Sequence, residues 1–151
     1  MYKEWKENNN MTHASRNTST GLNFEKQVLV KNDGICLTKN NLYKYLEKNG
    51  IDWTTILSRK LLPDEAYYNP VTKELSIYEK KYQQTEGSAD EKPQTCGFKI
   101  WEYKKLGRAM GAEKVTYTYL LSPWFAQDKY RDMLDYIRNE VKDCDYVIVG
   151  D

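Results

Sequence analysis

Asp64, Glu79 and Lys81 are the residues whose types and spacing could place two carboxylates and an amine around a divalent cation. They fall on two stretches, Leu61–Tyr68 and Glu74–Gln83, separated by Asn69-Pro70, which is the pattern of a β-hairpin. A four-residue loop over 70–73 makes paired positions sum to 143 and sets Asp64 opposite Glu79. A five-residue loop sets Glu65 there instead. Either register brings two carboxylates face to face, which is unfavourable without positive charge between them. Oxygen donors of this kind suit a divalent cation. Side chains alternate along a strand, so Leu75, Ile77, Glu79 and Lys81 share one face, and Tyr78, Lys80 and Tyr82 the other. An apolar row that runs into a carboxylate and an amine predicts a cleft at the strand end. The plain alternative is a set of solvated charges on an edge strand.

These residues need a scaffold. The apolar stripe of Leu22, Phe24, Val28 and Leu29 predicts a helix over about 22–32, ended by Asn32-Asp33-Gly34. A second helix is expected over 39–48, capped by Thr38 and closed by Asn49-Gly50. A first strand is expected over 53–58, ahead of the hairpin. After Gly87-Ser88, a long helix over about 90–109 carries Cys96, Ile100, Tyr103 and Met110 on its apolar side. Pro93 belongs in its first turn, which favours Asp90 as N-cap. A strand over 115–122, a helix over 125–141 and a strand over 145–151 complete the chain. The fold class expected is α/β, a central mixed β-sheet flanked by helices. The step from Glu74–Gln83 through the long helix to Val115 should be a right-handed parallel crossover.

Pro63-Asp64, fourteen intervening residues, then Glu79-Lys80-Lys81, on a hairpin between a helix and a crossover helix, resembles the PD-(D/E)XK nuclease superfamily. The stretch over 79–95 is similar to small type II restriction endonucleases. The resemblance covers about residues 21–122. It implies a restriction-endonuclease-like core, α-β-β-β-α-β, here with an added C-terminal helix and strand. It implies Mg²⁺-dependent DNA hydrolysis, with Mn²⁺ able to substitute, in which the cation polarises the phosphodiester and acidifies bound water, leaving a 5′-phosphate and a 3′-hydroxyl. Asp64 and Glu79 would be metal ligands, and Lys81 would orient the attacking water. Members commonly contribute a further carboxylate from the first helix, where Glu25 is the only acid before Asp33. DNA is the expected partner and a homodimer the expected assembly, since two-fold symmetry matches two strands. The alternative is a non-catalytic member of the fold that binds nucleic acid or protein.

Further contacts to the DNA backbone are expected from Gln83, which continues the face of Glu79 and Lys81. Others are expected from Lys99, Lys104, Lys105 and Arg108, interleaved with Trp101 and Tyr103. The chain has 151 residues, read as a flexible Asn/Ser/Thr-rich tail over 1–20 and one domain over 21–151. Its 23 basic and 22 acidic residues give a net charge of +1, so a broad positive field is excluded. The acidic excess lies in 128–151, which leaves the rest mildly basic. Mean hydropathy is −0.84, yet 13% aromatic residues supply a core. Cys36, Cys96 and Cys144 are far apart and His13 is the single histidine, which argues against a zinc site or a disulfide framework. No apolar run reaches the ~18 residues of a membrane span. The polar start lacks a signal-peptide core, so a cytoplasmic location is expected.

Overall fold

The computed structural model describes Phe24, Val28, residues 30–85 and residues 92–150. The expected 1–20 tail, Glu25 and the Asp90 cap lie outside the described residues. A five-stranded sheet holds its strands in chain order: β1 (Ile35–Cys36), β2 (Glu65–Asn69), β3 (Glu74–Lys81), β4 (Lys114–Leu121) and β5 (Cys144–Ile148). The first three are antiparallel, and β3–β4 and β4–β5 are parallel, so the sheet is mixed. A tight loop suffices between antiparallel strands, whereas a parallel pair needs a crossover. Helix α2 (Cys96–Met110) supplies the first crossover. The class is α/β, as expected.

The hairpin adopts the register that sums to 143: Asn69 faces Glu74 and Glu65 faces Tyr78. Its loop is closed by Asn69, whose Oδ1 accepts the N–H groups of Val71 (2.9 Å) and Thr72 (3.2 Å). Face parity also holds. Leu75 and Ile77 lie in the main core with Val115, Tyr117 and Tyr119 of β4 and with Leu42, Tyr43 and Leu46 of helix α1 (Asn41–Lys48). Tyr78 and Leu120 turn to the other face and pack on Phe24, Val28 and Val30. Helix α2 approaches β4 closely at Gly107, where a Cβ would come within 2.6 Å of Val115 Cγ2.

Several elements differ from expectation. Residues 53–58 form no strand. Trp53–Thr55 is a 3₁₀ turn because Asp52 accepts from the Thr54 N–H (3.0 Å) and hydroxyl (2.6 Å), local bonds that compete with a sheet ladder. The third antiparallel strand is instead the short β1. The 22–32 helix does not run its full length: Val28 donates to the Phe24 carbonyl (3.0 Å), but Val30 already forms a β-bridge. Helix α1 starts at Asn41, and Thr38 does not cap it; its Oγ accepts from the Ala66 N–H (3.4 Å) and ties the segment to β2. The long helix begins as a 3₁₀ turn, Lys92–Thr95, and closes at Gly111 with φ 91°. The helix expected over 125–141 is broken into 3₁₀ turns Pro123–Ala126 and Asp128–Tyr130, helix α3 (Arg131–Asp135) and a π turn, Tyr136–Glu140. Among the described residues, no helix is long and apolar enough to cross a membrane.

Candidate active site

Asp64 stands one residue before β2. Pro63 has no N–H to extend the ladder, and the Asp64 side chain takes the place of a backbone partner: its Oδ2 accepts the Lys80 N–H at 2.8 Å. Its Oδ1 accepts from Lys39 Nζ at 2.7 Å. Glu79 lies on β3 beside Tyr119 of β4, and its carboxyl donates to Asp64. Burial, followed by the negative charge of Asp64, pushes the Glu79 pKa up to about 8, and nearby Lys81 offsets this only in part. Burial also acts to raise Asp64. The hydrogen bonds from Lys39 and from the Lys80 N–H outweigh it and hold Asp64 below its ordinary value. The pair is therefore one carboxylate and one neutral acid sharing a proton near neutral pH.

Glu79 and Lys81 open into a cleft of about 380 Å³. Lys81 Nζ lies 4.0 Å from Glu79 Oε2. Leu61 and Leu62, with Lys92, Thr95, Lys99 and Tyr103 from the 3₁₀ turn and α2, form the walls, and Tyr117 and Tyr119 come from β4. Tyr43 of α1 fixes one wall, since its hydroxyl donates to the Leu61 carbonyl and accepts the Leu61 N–H, each at 2.6 Å. Burial raises the pKa of Tyr103, Tyr117 and Tyr119, so these hydroxyls stay protonated. Three lysines and one half-buried acid thus line the cleft.

Asp64, Glu79 and Lys81 come together at the hairpin end, and Lys99, expected from sequence only as part of a basic helix patch, lines the same cleft as Glu79 and Lys81. Glu65 does not: it sits on the opposite face, paired with Lys80 at 2.8 Å and accepting the Tyr67 hydroxyl at 2.6 Å. That arrangement removes Glu65 as the alternative ligand. Both members of the Glu65–Lys80 pair are nearly fully buried, and removing one leaves an uncompensated charge. Glu65→Ala is accordingly expected to cost about 3–5 kcal/mol in urea unfolding. An unfolding free energy equal to that of wild type would contradict the buried pairing.

Gln83 does not line the cleft. Its N–H donates to Ser122 Oγ (3.0 Å), its carbonyl accepts the Ser122 hydroxyl (2.9 Å), and its side-chain amide donates to the Thr85 carbonyl. Lys104 is paired with Asp143 at 2.8 Å, and Lys105 lies over the Trp101 ring at 4.5 Å. A helix turns about 100° per residue, so Lys99 faces the cleft while Lys104 and Lys105 point elsewhere. Glu25 lies outside the described residues. Lys39, Lys92, Tyr117 and Tyr119 were not singled out from sequence. Period-two parity along β4 could have found the tyrosines; nothing local marks Lys39, which is 25 positions from its partner.

Among the described residues, no group of three His, Cys, Asp or Glu side chains is assembled for a metal. The donors present are Asp64 and Glu79, two hard oxygen ligands pressed together and sharing a proton. That donor set fits a hard divalent cation that keeps several of its waters. Comparison with protein-family models, with curated proteins and with solved structures gives no match. Fold and site therefore define the chain by their own geometry: an α/β protein with a mixed five-stranded sheet and an acid–acid–lysine cluster at the end of its central hairpin.

Proposed function

We propose that this chain is a Mg²⁺-dependent DNA endonuclease with a restriction-endonuclease-like core, of the PD-(D/E)XK pattern and the restriction type. The observation that carries this reading is the Asp64–Glu79 pair with Lys81 beside it, at one end of the β2–β3 hairpin and facing a lysine-lined cleft. The crossover through α2 to parallel β4 supports it.

In this reading Asp64 and Glu79 hold the cation, which, when bound, would polarise the phosphate and acidify a water. Asp64 is already ionised and is aimed by the Lys80 N–H. Glu79 gives up its proton when it becomes a ligand, so binding weakens as pH falls below about 8. Lys81 presents its ammonium to the cleft, where it holds the attacking water and offsets charge developing on the phosphate. Lys92 and Lys99, on the facing wall, attract the phosphates on either side. The protonated hydroxyls of Tyr117 and Tyr119 offer hydrogen bonds without adding negative charge.

Supercoiled plasmid incubated with the protein should be nicked or linearised in Mg²⁺ or Mn²⁺ and left intact in EDTA. The ends should be ligatable, as a 5′-phosphate and a 3′-hydroxyl require. Parallel incubation with duplex DNA, single-stranded DNA and RNA tests the substrate class, and duplex DNA should be cut fastest. Absence of any divalent-dependent cleavage would overturn the reading, and retained DNA binding in that case would leave a non-catalytic binding protein.

A further inference from the structure

Lys39 lies outside the Asp64…Glu79-x-Lys81 pattern, yet its ammonium meets Asp64 Oδ1 at 2.7 Å. The backbone is built to deliver it. Lys39 has φ 54°, in the left-handed region that lysine rarely occupies. Its N–H donates to the Pro63 carbonyl at 2.9 Å, clamping it to the residue just before Asp64. The neighbouring bonds continue that clamp: the Leu37 N–H donates to the Ala66 carbonyl at 2.7 Å, and Thr38 Oγ accepts from the Ala66 N–H. Local backbone strain persists only where surrounding contacts over-determine it, and here they all bind residues 37–39 to residues 63–66.

The two oxygens of Asp64 are held differently. Oδ2 is bonded to the backbone of β3, which cannot move without breaking the sheet. Oδ1 is bonded to a long side chain that is 52% exposed and can swing away. Two cations cannot share one carboxylate oxygen without mutual repulsion. We propose that Lys39 is the resident counter-ion of the site: its ammonium occupies Asp64 Oδ1 in the cation-free protein and competes with a divalent cation for that oxygen, so Lys39 sets the affinity of the site for the cation. Lys39 is a positioning residue in this role, acting through Asp64.

This inference rests on the reading of Asp64 and Glu79 as a cation site, and one experiment separates the two. Mn²⁺ binding is measured by titration calorimetry on the full chain at pH 8.5, for wild type, Lys39→Gly and Lys39→Arg, with melting temperatures recorded alongside. Glycine accepts φ 54° without strain, so Lys39→Gly removes the ammonium while leaving the backbone content. Lys39→Gly should bind Mn²⁺ about tenfold more tightly than wild type, because a competing unit charge is gone. Lys39→Arg should restore near-wild-type affinity. Equal or weaker binding by a well-folded Lys39→Gly would overturn the role of Lys39. Mn²⁺ binding that is absent from wild type, or unchanged in Asp64→Asn, would instead overturn the cation-site reading on which it rests.

Discussion

Glu79→Gln should lower DNA cleavage by ~10³-fold, the scale associated with loss of a central electrostatic group, and yet make the cation-free protein more stable in alkaline solution. The two effects share one cause. Glu79 is half-buried against β4 and faces ionised Asp64, and its pKa is pushed from an ordinary value of 4.5 up to about 8. An acid whose folded pKa is raised contributes stability that is fully present below its unfolded value, here near 4.5. That contribution is lost as pH rises through about 8, because the folded state is then forced to carry a second buried negative charge. Asp64 acts in the opposite sense: held below its ordinary value of 3.8, it contributes stability that is lost as pH falls through the acid range. Glutamine cannot ionise, so Glu79→Gln escapes the alkaline loss. Metal-free melts should show the variant and wild type close together at pH 5. At pH 9 the variant should be more stable by a few kcal/mol, on the scale of about 1.4 kcal/mol for each tenfold change in proton affinity. Adding Mn²⁺ should reverse the order at pH 9, because only wild type gains a ligand-competent carboxylate. Parallel pH profiles for the two proteins would contradict the carboxyl–carboxylate pair.

Lys81→Met should reduce the single-turnover cleavage rate by ~10²–10³-fold with little change in stability. Its ammonium makes one ion contact, at 4.0 Å, and faces the open cleft. A half-buried pair held at that length contributes on the order of 1 kcal/mol. Mn²⁺ affinity should stay within a few-fold of wild type. The neighbouring lysine makes the sharpest control. Lys80→Met removes a buried partner of Glu65 on the opposite face, so it should destabilise the fold while the folded fraction still cleaves. Alternation along β3 thus predicts opposite phenotypes for adjacent lysines. If Lys81→Met cleaved normally and folded Lys80→Met did not, the facing of the strand toward the cleft would be wrong.

The hairpin was legible in the sequence because its determinants are local. Asn69 closes a four-residue loop with its own side chain, and that length alone selects between Asp64 and Glu65 as the neighbour of Glu79. Period two then sorts Leu75, Ile77, Glu79 and Lys81 from Tyr78 and Lys80. Other elements were misread because stronger local or distant bonds intervened. Asp52 folds 53–55 into a turn where a first strand is expected. Thr38 spends its hydroxyl on Ala66 rather than on the helix that follows it. The basic run after Lys99 looked like one patch, but Asp143 claims Lys104 from 39 positions away and Trp101 lies under Lys105.

By itself, then, the sequence determined the central hairpin, the parity of its faces and the pairing of two acids with one lysine at its end, while two registers stayed open until the structure chose the one that sets Asp64 beside Glu79. These follow from loop length and strand geometry over some twenty residues, within which few conformations compete. Only the tertiary structure decided which charges those acids meet. Lys39 reaches Asp64 through a left-handed backbone and a clamp to Pro63, and Tyr117 and Tyr119 enter the cleft through a parallel crossover. Burial and through-space charge set the proton affinity of Glu79, and both depend on residues remote in the chain whose approach no local period encodes.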